Sequence, residues 1–108
     1  MPTNTLNDKY QLATKQATIA APKARDEITK RLSRESSTFT HTVEIDNISP
    51  SLQGTRFENR LMKDLAGKLY GMLKRNNRSR VHDVNVGQLR WYENGPDRAI
   101  FTVTVHLH

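Results

Sequence analysis

The chain has 108 residues, 35% of them hydrophobic and 6% aromatic, and sets 17 Lys and Arg against 11 Asp and Glu for a formal net charge of +6. That length supports one modest core and not two independently folded halves. With no cysteine, a disulfide framework, a thiolate zinc site and a Cys nucleophile are excluded together.

Residues 1–37 hold seven basic and four acidic side chains and no Phe or Trp, a composition that predicts a flexible or partly helical arm. Leu6, Tyr10, Ala13 and Ala17 fall at helical spacing, so a helix there would carry one thin apolar stripe and need a partner surface. Pro22 is expected to interrupt it. "PKARDEITKRLSRE" restarts a short helix with Ile28 and Leu32 as its only large apolar contacts, Pro being tolerated in a first turn.

From Phe39 to Ile45 the odd positions Phe39, His41, Val43 and Ile45 alternate with polar residues, which predicts a strand with one buried face. "NISPS" ends it. Thr55 and Glu58 stand at capping-box spacing, and a helix is expected from about 52 or 55 to 76. Phe57, Leu61, Leu65, Leu69, Met72 and Leu73 form its apolar side. Arg56, Arg60, Lys63 and Lys74 gather opposite, together with Gly67 and Gly71. Asn76 and Asn77 suit a helix stop.

Val84 and Val86 alternate in one phase and Leu89 and Trp91 in the other, so one strand must absorb an odd number of residues near Gly87, as a β-bulge does. "YENGPDR" supplies turn chemistry, and Ala99, Phe101, Val103, Val105 and Leu107 alternate to the end. The last two strands are expected to form a hairpin. An edge strand at the C-terminus would invite pairing with a second copy, so a homodimer or higher oligomer is expected.

The fold class that results is α+β: one long amphipathic helix on a three-stranded, mainly antiparallel sheet in the order β-α-β-β, with residues 1–37 as a basic arm and 38–108 as a compact domain. No apolar run approaches the ~18 residues that cross a bilayer. The opening "MPTNTLNDKY" has neither the basic start nor the apolar centre of a secretory signal. A soluble, cytoplasmic protein with no membrane partner is expected.

Several constellations carry possible chemistry. Arg56, Arg60 and Lys63 stand at spacings of four and three along the helix, and "KRNNRSR" extends the row with Lys74, Arg75, Arg78 and Arg80. Mobile cations in a row match a repeating phosphate, and Arg adds forked contacts; a solvent-facing helix side and a favourable helix dipole account for such residues as well. Gly67 and Gly71 lie in register on the polar side, where glycine weakens a helix, and mark a place of close approach. Tyr70, Trp91, Tyr92 and Tyr10 offer the stacking faces, a thin set for a platform. Trp91 and Tyr92 should point to opposite faces of their strand.

His106 and His108 would share a strand face, but a metal site needs a third ligand and none is at hand. His41 suits a hydrogen-bonded core or interface position. Glu44 with Asp46, or His82 beside Asp83, brings no nucleophile, phosphate loop or metal cage. No cofactor, no metal and no catalytic residue are therefore expected. The sequence reads as a small basic non-enzymatic protein that binds DNA or RNA through backbone phosphates, or an acidic protein surface. The alternative is a homo-oligomeric structural or adaptor protein, such as a small virus or phage component, that assembles through its arm and sheet edge.

Overall fold

In a computed structural model, which describes residues 5–49, 52–54, 56–76, 80–93 and 97–108, two helices lie on an antiparallel sheet of four strands. The elements are α1 (Thr5–Leu32), β1 (Phe39–Asp46), α2 (Arg56–Asn76), β2 (Val81–Val86), β3 (Arg90–Trp91) and β4 (Arg98–Leu107). The expectation of α+β architecture stands, with two long helices in place of one and four strands in place of three.

The largest difference lies at the N-terminus. The expected arm is a 28-residue helix that runs through Pro22 without a break. A proline inside a helix removes one backbone hydrogen bond and costs about 3 kcal/mol, which is why the sequence suggested two pieces. Burial outweighs it: Ala13, Ala17, Ala20, Ala21, Ala24, Ile28 and Leu32 are all buried along one face. Methyl-sized side chains let the two helices approach closely, and the stripe that needed a partner finds it in α2. The core runs across the expected division at 37/38, since this stripe belongs to the same cluster as Val43, Leu65, Phe101 and Val103.

The helices run parallel. Tyr10 packs edge-on against Phe57 with ring centres 4.9 Å apart, and one turn further along α1 and two along α2 Thr14 Oγ1 donates to Asp64 Oδ2 at 2.8 Å. α2 begins and ends close to where its periodicity places it, and its apolar residues Phe57, Leu61, Leu65, Leu69 and Leu73 are buried. Thr55, half of the expected capping box, lies outside the described residues. Glu58 is buried and accepts from the Gly54 amide at 2.6 Å and from Trp91 Nε1 at 3.1 Å. One carboxylate thus fastens the start of α2 both to the preceding turn and to β3.

β4 is the central strand, with β1 on one side and β2 followed by β3 on the other. This corrects the expectation that the C-terminal strand is an edge: Phe39 to Asp46 pair with Val105 to Arg98, while Val81 to Val86 pair with Leu107 to Val103. Between the pairs Val86 with Val103 and Arg90 with Ile100, the β2–β3 side advances four residues and β4 three. The one extra residue is the phase change anticipated near Gly87, whose amide bonds Thr102 O at 2.8 Å. A second irregularity lies between Val81 and Asp83. The β3–β4 hairpin closes through Tyr92 N to Arg98 O at 3.2 Å.

Both outer strands have side chains on their backbone. α1 runs antiparallel to β1, and Lys23 Nζ donates to Glu44 O at 3.0 Å and Arg31 to Thr40 O at 2.6 Å. On the far side Lys74 Nζ donates to Val81 O, and Asp83 Oδ1 accepts from Val84 N, both at 2.8 Å. Charged side chains, bulges and a short strand are the devices that keep an edge from pairing with another chain.

Candidate functional site

The seven cations named from the sequence separate into three groups. Arg56, Arg60, Lys63 and Arg75 stand exposed on α2, the first three on its outward side and Arg75 toward its flank. Arg60 keeps an ion pair with Asp64, Nε to Oδ2 at 3.1 Å, and its side chain is half exposed. Lys74 and Arg80 are engaged in the fold. Lys74 bonds Val81 O, and the Arg80 guanidinium donates to the carbonyls of Leu32 and Glu35, so Arg80 closes the C-terminal end of α1. The third group is Arg78, which lies outside the described residues, as does Asn77. The stretch "KRNNRSR" is therefore in part a structural clasp, which its charge density alone did not distinguish from a ligand grip.

Gly67 and Gly71 are exposed on the same side of α2. A methyl group built on either meets nothing within 4 Å, so no contact among the described residues requires a glycine there. Tyr70 stands between them, 37% exposed, with Lys74 Nζ 5.6 Å from its ring centre. No acidic residue occupies this stripe other than the paired Asp64 at its border.

α1 adds residues that the sequence reading did not single out. A cavity of about 320 Å³ opens between the helices, lined by Tyr10, Gln11, Thr14, Lys15 and Arg60. Lys15 is exposed there, and Arg60 stands 5.9 Å from the Tyr10 ring centre. Only the parallel pairing of the helices brings Lys15 beside Arg60, 45 positions later in the chain.

The electrostatic consequence is a two-sided molecule. The helices hold twelve Lys and Arg against five Asp and Glu, whereas the strands hold two against three. On the outward sheet face Arg98 Nε lies 3.0 Å from Asp46 and 3.6 Å from Glu44, and the Tyr92 hydroxyl donates to Glu44 at 3.2 Å. Trp91 reaches toward the helices and Tyr92 away from them, as their alternation predicts. Glu44 and Asp46 thus share one arginine.

The histidines are placed by their partners. His41 Nε2 lies 2.8 Å from Glu27 Oε1, and its Nδ1 lies 3.3 Å from the Arg31 guanidinium. Arg31 can only donate, so Nδ1 accepts and Nε2 carries the proton toward Glu27. His106 faces Asn85 at 2.8 Å, while the His108 ring meets His82 edge-on at 4.9 Å. The pair at positions 106 and 108 is therefore split between different neighbours. Among the described residues no three His, Asp or Glu side chains gather where a metal ion could be held, and no helix is long and apolar enough to cross a membrane.

No protein-family model, no curated protein and no solved structure matches the chain.

Proposed function

We propose that this is a non-enzymatic, cytoplasmic nucleic-acid-binding protein whose helical layer meets backbone phosphates. The observation that carries the reading is the separation of charge: a surplus of seven cations on the helices, against a slight surplus of acid on the strands. A polyanion meets such a molecule in one orientation, and each phosphate neutralised releases counterions. Arg56, Lys63 and Arg75 are the contacts of first choice, being exposed and outside any ion pair among the described residues. Arg60 joins them by sharing Asp64. Lys15 widens the surface from α1. Phosphate contacts of this kind position a protein without reading sequence.

Assembly through the sheet edge has less in its favour, since β4 is central and side chains cap the outward backbone of β1 and β2. The α1 helix packs on its own chain, which gives the draping arm less support as well.

The test is a mobility-shift titration of DNA and RNA oligonucleotides with wild type and with the combined Arg56→Glu, Lys63→Glu and Arg75→Glu variant, at low salt. Wild type should retard the oligonucleotides and the variant should lose at least tenfold in affinity while remaining folded. Equal binding by both proteins would remove α2 as the contact surface, and no binding by wild type would remove the reading itself.

A further inference from the structure

Resting on the phosphate-binding reading, a second question is which form of nucleic acid the helical layer suits. We infer that the outward side of α2 is a track for a single strand, with one unstacked base seated on Tyr70. Three observations converge on this. The track is one row: Arg56, Arg60 and Lys63 lead to Tyr70, and Lys74 follows it. Lys63 and Lys74 are eleven residues apart, about 16 Å along a helix axis. A single row of cations follows one phosphate strand, whereas a duplex presents two.

The middle of that row bears an aromatic ring in place of charge. Tyr70 is one of three large hydrophobic side chains exposed among the described residues, and of the three it is the aromatic ring carried on a helix, with cations before and after it. An exposed ring gains nothing from a duplex, whose bases are already stacked, but it offers a face to a base of a single strand. The ammonium of Lys74, 5.6 Å from the ring centre, has three protons and gives one to Val81 O. The remainder are free to meet the phosphate of a nucleotide stacked beside the ring.

The surface around the ring is open. Because a methyl at Gly67 or Gly71 meets nothing within 4 Å, the floor next to Tyr70 lies lower than any other residue would leave it. A sugar and base can therefore settle against the helix backbone at this height. The glycines supply room; the cations and the ring supply the attraction.

The experiment compares a 20-nucleotide single strand, oligo(dT) or oligo(U), with a 20-base-pair duplex by fluorescence anisotropy, using wild type, Tyr70→Leu, Tyr70→Trp and Gly67→Gln. Base stacking on an aromatic side chain accounts for about tenfold in affinity per base. Wild type should prefer the single strand, and Tyr70→Leu should lose about tenfold on it with an unchanged salt dependence. Tyr70→Trp should retain the affinity, and Gly67→Gln should weaken it while leaving the protein folded. Single-strand binding that is unaffected by Tyr70→Leu, or a wild-type preference for the duplex, would overturn the single-strand track and leave phosphate binding standing. A wild type that binds neither oligonucleotide would overturn both.

Discussion

The guanidinium of Arg80 donates to the backbone carbonyl of Leu32, the last residue of α1, across 48 positions of sequence. Its other terminal nitrogen reaches the carbonyl of Glu35. The last carbonyls of a helix have no partner within it, and Arg80 supplies one while joining the start of β2 to the end of α1. Arg80→Ala should therefore lower unfolding stability by about 1–3 kcal/mol, read from the urea midpoint, and leave oligonucleotide affinity of the folded protein within about twofold. Arg75, exposed on α2, should behave the opposite way: Arg75→Ala changes stability by less than about 0.5 kcal/mol and weakens binding.

Glu58 answers two donors at once, the Gly54 amide and the Trp91 indole. Glu58→Ala removes the acceptor of both hydrogen bonds, and a hydrogen bond to a charged group contributes about 1.5–3 kcal/mol. Trp91 is the one tryptophan of the chain, so its fluorescence reports the change directly. The emission should shift and the thermal midpoint should fall, with Glu58→Gln milder because an amide oxygen still accepts.

The close approach of α1 to α2 depends on alanine. Ala17 and Ala21 are wholly buried, and Ala17→Leu forces extra volume into a packed seam. Overpacking of this kind costs about 1–3 kcal/mol. Calorimetry should show that loss for Ala17→Leu, while Thr18→Leu at the neighbouring exposed position should leave the midpoint nearly unchanged.

Gly67 and Gly71 sit inside a helix with open space about them. Alanine at either position should raise stability by about 0.5–1 kcal/mol, measured by urea unfolding. A loss of stability would mean that the helix backbone there is not the relaxed one described.

Most of the sheet was legible because strand alternation is strict. Phe39 to Ile45 and Ala99 to Val105 place their odd residues inward, and the phase change before Leu89 announced the extra residue that the β4 register displays. Strand order was not legible, since periodicity says which face is buried and nothing about which neighbour lies beside it. α1 was misread for a physical reason. Alanine stripes register weakly as apolar, and Pro22 signals a break that tertiary burial overrides. The exposed row Arg56, Arg60 and Lys63 followed from helical spacing. The engagement of Arg80 with Leu32 and of Lys74 with Val81 did not, because a cation that caps a carbonyl and one that waits for phosphate look alike in sequence. Lys15 was missed for want of the parallel helix pairing that sets it beside Arg60.

The central claim is that the helical layer binds nucleic acid through phosphates, and salt tests it most directly. Anisotropy of a labelled single strand should be titrated with wild type across a range of salt concentrations, and repeated with the Arg56→Glu, Lys63→Glu and Arg75→Glu variant. With four exposed cations engaged, the plot of log affinity against log salt should fall with a slope near −3, about −0.7 for each phosphate neutralised, and the variant's slope should be much shallower. A wild type that fails to bind at low salt, or a slope that the three substitutions leave unchanged, would contradict the account.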